Sequence, residues 1–279
     1  MATIGPAAPL TRLLDSLSRQ TALPLEVIVV DQNDRDAPVA EAIGGAWPFP
    51  VVHLHTPGMR GASRGRNVGL RRASGAVVGF PDDDCWYPAD CLARALALLA
   101  DPDMGFVAGR PVDETGRTIN GRFENAPQRI VRANVWTTSI EWLQFFRRDL
   151  LKSLDGYDET IGVGATTPWQ SAEAQDLVLR ALATGATGFY DPDMTGHHEE
   201  LPVARSDPAL RRKLRRYGRG MGHVLRRHGY GLVQFLRWSL RPLGGALIFL
   251  ARRDVSRAKL HAAVAFGRLE GYVGRTIGE

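Results

Sequence analysis

Three successive carboxylates, Asp82, Asp83 and Asp84, follow directly on the apolar run Val77-Val78-Gly79-Phe80. A buried strand ending in such a cluster crowds like charges at one point, which raises carboxylate pKa values unless a cation neutralises them. A hard divalent ion with oxygen ligands, Mg2+ or Mn2+, is the matching neutraliser, and such ions commonly hold phosphates as well. An acidic turn opening a helix is the plainer reading, but the strand before the triplet and the large residues Trp86 and Tyr87 after it favour a binding site. Gly196-His197-His198-Glu199-Glu200 sets imidazoles beside carboxylates, either as further metal ligands or as polar loop. The stretch from Pro57 to Asn67, with Arg60, Arg64 and Arg66 among glycines, offers the N–H and guanidinium groups that cradle a diphosphate, or else it is a solvated loop. Glu173 and Asp176 are three apart and share one face of a helix's first turn, where carboxylates also complement the helix dipole.

The elements that would position these groups alternate. Leu10, Leu13, Leu14 and Leu17 have helical spacing, Leu25 to Val30 reads as a buried strand stopping at Asp31, and Val51 to His55 is a second strand. A helix up to Ala73, a strand from Ala76 to Phe80 and a helix from Ala89 to Leu99 follow. Such alternation implies an α/β fold with a mostly parallel sheet between helices and ligands at the carboxyl ends of the strands, so Asp31 and the Asp82 to Asp84 cluster should face one crevice. Only Met1 to Gly5 is available for a first strand, against the usual five or six residues. Either the sheet tolerates a short strand or the chain begins late, and the latter predicts a marginal sheet edge and a partly open nucleotide pocket. Gly105 to Val112 and Val135 to Ile140 read as strands, the polar stretch between them as a lid or a surface excursion, and Phe145 to Leu151 as a lead into a helix. Thr187 to Tyr190 is a last short strand. Trp169, between a glycine-rich approach and the Glu173 helix, reads as an exposed flat surface at a binding mouth.

Composition narrows the class. With 279 residues and 44% hydrophobic content the chain can bury a sizeable core. Cys85 and Cys91 are the only cysteines, which excludes a disulfide framework and points to a reducing compartment. The opening residues lack a secretory pattern, and Gly231 to Ala251, the most apolar stretch, is broken by Arg237, Arg241 and Pro242. These features predict a cytoplasmic location. The net charge of +5 comes mainly from the C-terminal part, where Arg205, Arg211, Arg212, Lys213, Arg215, Arg216, Arg219, Arg226 and Arg227 crowd into one stretch. Large apolar residues such as Phe235, Trp238 and Phe249 alternate with the arginines that follow. That pattern suits helices lying on an anionic membrane surface, at the inner face of the cell membrane, or a helical cap on the rest of the chain. Nucleic acid fits less well because no recognition module is present. The expected division is residues 1–204 as an α/β domain and 205–279 as a basic amphipathic helical region.

Taken together, Glu26-Val27-Ile28-Val29-Val30-Asp31, the Arg60 to Gly75 segment, Val78 to Pro88, Leu154 to Gly164 and Ser171 to Leu182 resemble, in order, the motifs of the inverting family 2 glycosyltransferases, which have the GT-A fold. The resemblance covers about residues 1–200. It implies sugar transfer from a nucleoside-diphosphate sugar, UDP-sugars favoured, to a saccharide or lipid-linked acceptor, in surface polysaccharide or glycoconjugate synthesis. It implies nucleotide-sugar contacts from Asp31, Arg64, Arg66, Asn67, Asp82 and Asp83, and a Mn2+ or Mg2+ ion on Asp82 and Asp84 with His198 or His197. Asp83 would serve mainly to orient its loop, and Trp169 would meet the acceptor. The family's general base often sits second in a Glu-Asp pair on the acidic helix, and here that pair reads Glu173-Ala174. Glu173 is the nearest carboxylate and Asp176 the next, and both are expected across the crevice from the ion. The altered pair and the short first strand also suit a nucleotide-sugar-binding protein without turnover. Gln234-Phe235-Leu236-Arg237-Trp238 matches the QxxRW pattern of processive polysaccharide synthases, but those carry transmembrane helices, so processive synthesis is not expected.

Overall fold

The helical spacing of Leu10, Leu13, Leu14 and Leu17 forms α1 (Ala7–Ser18), and all four leucines are buried. Each removes enough apolar surface from water to contribute about 1.5–3 kcal/mol. A computed structural model describes residues 1–200 and 208–278, in two units. The expected boundary at 204/205, and Arg205 with it, lie outside the described residues.

The first unit comprises Met1–Tyr157 and Leu177–Glu200. β2 (Val27–Asp31) is buried along its whole length between β1 (Ala2–Thr3) and β3 (Val51–His55), both parallel to it. The run of β-branched residues suits a strand covered on both faces. A short helix absent from the sequence reading, α2 (Ala37–Ile43), and then α3 (Ala62–Arg72) complete this part. β1 reaches only Val30 and Asp31, and the strands divide there into two sheets. A cleft of about 370 Å³ remains, with Val27 and Ile28 of β2, Val77 and Val78 of β4 (Val77–Gly79), and Phe145 in its wall.

After β4 come β5 (Cys85–Trp86), α4 (Cys91–Leu98), β6 (Met104–Pro111), β7 (Gln128–Ile130), β8 (Gln144–Arg147) and α5 (Arg148–Ser153). With β9 (Thr187–His198) they form a mixed sheet of order β4-β8-β6-β9-β5, β7 lying beside β9. β6 and β9 are parallel, and the other pairings are antiparallel. Two sequence expectations change. Val135 to Ile140 is not a strand: Val135–Thr137 is a 3-10 turn, and the strand begins at Gln144 because Phe146 pairs with Val78 on one side and Phe106 on the other. The last strand does not stop at Tyr190 but runs to His198, paired with β6 and then with β5. The polar stretch after Val112 is knit together by Asp113, which accepts from Thr115 and Arg117, and by the buried Ile119.

The second unit joins Asp158–Asp176 to the C-terminal helices α7 (Pro208–Arg227), α8 (Leu232–Ala251) and α9 (Val255–Val273). α6 (Glu173–Ala183) has its first turn in this unit and its remainder in the first. α7 and α9 approach closely: a Cβ at Gly271 would collide with the carbonyl of Arg219, so only glycine fits. Glu270, fully buried, receives Arg215 at 2.8 Å and Arg219 at 2.8 Å, so two arginines of the basic stretch face inward. Among the described residues no helix is long and apolar enough to cross a membrane.

Candidate functional site

The register of the last strand decides which histidine meets the carboxylates. Cys85 pairs with His198 and Trp86 with His197, which sets His198 beside the residue preceding Cys85. His198 Nε2 lies 2.9 Å from Asp84 Oδ1, whereas His197 donates Nδ1–H to the Val112 carbonyl at 3.0 Å. β9 reaches this position through Gly196, where a Cβ would come within 2.8 Å of the Trp142 ring. Asp82, Asp84 and His198 each offer one ligand atom, all within 4.8 Å of one another. Two carboxylates and an imidazole in that space fit a divalent ion, and the nitrogen donor suits Mn2+ better than Mg2+.

The rest of the acidic turn is divided in purpose. Asp82 Oδ1 receives Nη2 of Arg66 at 2.6 Å, and the buried Arg66 guanidinium also lies 5.4 Å from the Tyr157 ring. Asp83 accepts from the Thr3 hydroxyl of β1, and burial raises its pKa, with Asp84 and Asp82 adding to the rise against that hydrogen bond. It therefore ties the acidic turn to the first strand. Arg64, two residues before Arg66 on α3, is exposed. Asn67 uses its amide on the main chain of Tyr157, donating to the carbonyl at 2.8 Å and accepting from the N–H at 2.8 Å, so it acts as a strut between α3 and the Gly156 turn. Asp31 is fully buried: Oδ1 accepts from the Asn33 N–H and side-chain amide, both at 2.9 Å, and Oδ2 lies 3.2 Å from His53 Nε2. Nothing in the local sequence pattern distinguishes Thr3 or His53 as a partner of these carboxylates.

In the second unit Glu173 is buried and Asp176 completely so. Asp176 Oδ1 lies 2.8 Å from His228 Nε2 and 3.6 Å from Arg227 Nε. Arg227 also pairs with Asp158, and Ser171 donates to the Tyr217 carbonyl at 2.7 Å. Trp169 is half-buried, and one face of its indole stacks on His223 with centroids 4.5 Å apart and planes 9° from parallel. Burial and the charge of Arg227 lower the His223 pKa, so this imidazole is neutral at pH 7. Trp169, His223, Arg226, Arg227 and Gly274 surround a hollow of about 470 Å³. Ala174, second in the altered acidic pair, is buried.

The ion pair at His198 gives a pH-dependent prediction. Burial alone would lower the His198 pKa, but its hydrogen bond and charge interaction with Asp84 outweigh burial and raise it to about 9. Without an ion the imidazolium–Asp84 pair is fully stabilising below the ordinary value of 6.5 and is lost as pH rises through about 9. A metal needs the neutral imidazole, so binding expels a proton. Mn2+ affinity is expected to rise about tenfold per pH unit from 6.5 towards 9 while the stability of the metal-free protein falls. Calorimetric titration in buffers of different ionisation enthalpy measures the released proton, and His198→Ala removes it; an affinity independent of pH would exclude His198 as a ligand.

Comparison with known proteins adds relatives to this geometry. The profile described as Glycosyl transferase family 2 matches residues 2–165. A glycosyltransferase of Haemophilus influenzae is 34% identical over 101 residues, 36% of this chain and 33% of the relative, and the glycosyltransferase AglE of Haloferax volcanii is 22% identical over 71% of this chain and 63% of its own. The chain thus spans about a third of the length of the first of these relatives. Among solved structures, a mannosyltransferase of Pyrobaculum calidifontis in complex with GDP-Man and Mn2+ has a TM-score of 0.63 at 18% identity, over 99% of this chain and 86% of that one. TarS 1-349 of S. aureus in complex with UDP-GlcNAc has a TM-score of 0.55 at 17% identity, over 98% and 91%. The fold is that of the GT-A glycosyltransferases.

Proposed function

The chain belongs to glycosyltransferase family 2, and from that premise we propose that it transfers a sugar from a nucleoside-diphosphate sugar to an acceptor hydroxyl, with inversion at the anomeric carbon. The Asp82, Asp84 and His198 cluster, braced by buried Arg66, is the observation that carries this reading. These three side chains would hold Mn2+ or Mg2+, which when bound neutralises charge on the departing diphosphate. The acceptor oxygen bonds to the anomeric carbon on the face opposite the diphosphate, and the broken bond's electron pair leaves with the diphosphate oxygen. Arg66 donates to Asp82 and fixes the orientation of its carboxylate, and Asp83 with Thr3 fixes the turn that presents both ligands. Arg64 is the guanidinium proposed for the diphosphate, and Asp31 with Asn33 for the base end of the donor.

Glu173 takes the proton of the acceptor hydroxyl. Asp176 is the weaker candidate because His228 and Arg227 already hold it. Glu173→Gln should lower kcat by about 10²- to 10⁴-fold with little change in donor binding, while Asp176→Asn should act mainly on stability. Normal turnover in the first variant with none in the second, at equal melting temperature, would move the base to Asp176. Trp169 offers the acceptor the indole face not stacked on His223, and a saccharide or lipid-linked acceptor of surface polysaccharide or glycoconjugate synthesis suits such a surface.

Solved structures of similar fold bind GDP-Man in one case and UDP-GlcNAc in another. UDP-sugars are the expected donors here, with GDP-mannose as the competing arm. A thermal-shift panel of nucleoside-diphosphate sugars with and without Mn2+ tests the reading, since a ligand of the native state raises its stability. No shift with any donor would overturn it. The buried Ala174 favours a second reading, a nucleotide-sugar-binding protein with little turnover; metal-dependent binding without sugar release across an acceptor panel would select it.

A further inference from the structure

Val233, Leu236, Leu240, Leu243, Leu247 and Leu250 recur along α8 at intervals of three and four. At 3.6 residues per turn they make one continuous stripe. The helix does not use that stripe for packing: Phe235, Ser239, Pro242 and Ala246 form its buried side. The six stripe residues are between 42% and 79% exposed, with Val233 and Leu247 the most open. A monomeric protein rarely shows so long an apolar row to water, and an exposed row of this kind marks an interaction surface.

Charge identifies the partner. Arg237 and Arg241 each follow a stripe leucine by one residue, about 100° round the helix, so they form a row beside the stripe, and both are exposed. The α8 sequence contains no Asp or Glu. α7 contains none either, and α9 contains only Glu270, which is buried on Arg215 and Arg219. Arg211, Arg212, Lys213 and Arg216 of α7 are outward. A second copy of the chain meeting α8 stripe to stripe would bring arginine rows of one sign together with no carboxylate on the helix to oppose them, which is repulsive. Crossing the bilayer is excluded for this helix, which is not apolar enough to span. An apolar face with an arginine flank and no acidic residue matches the plane of a bilayer carrying anionic headgroups.

We propose that α8 lies in the interface of an anionic lipid bilayer, with the Val233 to Leu250 stripe at the boundary of headgroups and acyl chains and with Arg237 and Arg241 on lipid phosphates. The docking helix belongs to the second unit and needs no bound donor, so the inference stands apart from the transfer reaction. A protein held this way would meet a lipid-linked acceptor in two dimensions.

Flotation of the full chain with vesicles, without donor or metal, tests this. Vesicles of phosphatidylcholine with about one third phosphatidylglycerol should carry the protein up the gradient, and phosphatidylcholine alone should carry at least about tenfold less. The bound fraction should fall as salt is raised from 0.05 to about 0.5 M, where the Debye length shortens to a few ångströms. Leu240→Glu with Leu247→Glu should abolish flotation with the melting temperature unchanged, because both side chains are already in water. Arg237→Gln with Arg241→Gln should reduce the preference for the anionic vesicles by about fivefold per arginine. Absence of flotation with the anionic vesicles overturns the proposal. So does a concentration-dependent dimer in sedimentation velocity that Leu240→Glu with Leu247→Glu converts to monomer, which would give the stripe to a second copy of the chain.

Discussion

Asp84→Asn should reduce turnover by about a thousandfold and leave the protein folded. An ion held by Asp82, Asp84 and His198 would supply several kcal/mol of charge stabilisation to the departing diphosphate, and about 4 kcal/mol corresponds to three powers of ten in rate. The substitution removes one proposed ligand and also the partner that holds His198 in its protonated form, since Asp84 is what outweighs burial there. The variant should therefore show three changes together: lost turnover, weakened Mn2+ binding by calorimetry, and a His198 resonance that titrates well below its wild-type midpoint. Asp83→Asn is the control within the same turn. Its partner is Thr3 and its pKa is already raised by burial, so a neutral amide should disturb Mn2+ binding far less. Full metal-dependent turnover in Asp84→Asn would sink the metal assignment, and equal losses in the two variants would show that the turn as a whole was disturbed.

The contrast between Asp84 and Asp83 shows what the sequence made legible. Three carboxylates after an apolar run are readable as a candidate site, because a strand end followed by large apolar residues favours binding over a plain acidic turn. The sequence reading sets Asp83 apart from its neighbours as the one that orients the loop, and the structure adds a hydrogen bond to Asp83 from Thr3, eighty residues away in the chain. The two histidines are a harder case. His197 and His198 are adjacent and chemically equal, and what separates them is the pairing of β9 with β5, a strand of two residues too short for any periodic signal. On α3 the signal existed. Ser63, Arg66, Asn67 and Leu70 recur at helical spacing and are all buried, so Arg66 stands on the inner face and Arg64, two positions back, on the outer one.

Long-range pairing hid the remainder. β8 carries no local signal of its own, since Phe145-Phe146 reads equally well as the start of a helix, and only its place between β4 and β6 makes it a strand. The stretch Asp158–Asp176 groups with the C-terminal helices through contacts such as Asp158 with Arg227, which are far apart in the chain and carry no local pattern. From the sequence the arginines of α7 belong to one basic amphipathic region, on a membrane surface or capping the rest of the chain, yet Arg215 and Arg219 are spaced one turn apart and point to the same carboxylate on α9. The outward charge of the second unit is thus set by which arginines Glu270 withdraws, and those left outside accompany the apolar stripe of α8.

That withdrawal has a testable cost. Glu270 is fully buried and Arg219 is 1% exposed, and the carboxylate also accepts from the Ile277 N–H at 2.6 Å. Removing one partner from a buried pair strands the other charge, at about 3–5 kcal/mol. Total folding stability is ordinarily only about 5–15 kcal/mol, so Glu270→Ala should unfold the α7 and α9 pair at a much lower denaturant midpoint. Amide exchange should place the loss in those helices and spare α1 and β2. Replacing Arg215, Arg219 and Glu270 together by apolar residues of similar volume should recover most of it, because no charge is then left alone. Acid supplies an independent check. Burial by itself would raise the Glu270 pKa, but Arg215 and Arg219 reverse that and hold it down at about 2, below the ordinary 4.5. Its contribution is therefore complete above pH 4.5, declines as pH falls towards about 2, and is absent in Glu270→Gln, whose stability should lack that slope. A Glu270→Gln protein with the wild-type midpoint at pH 7 would mean that the arginines find water when the carboxylate is gone, and the inward-facing charges would then be a surface feature after all.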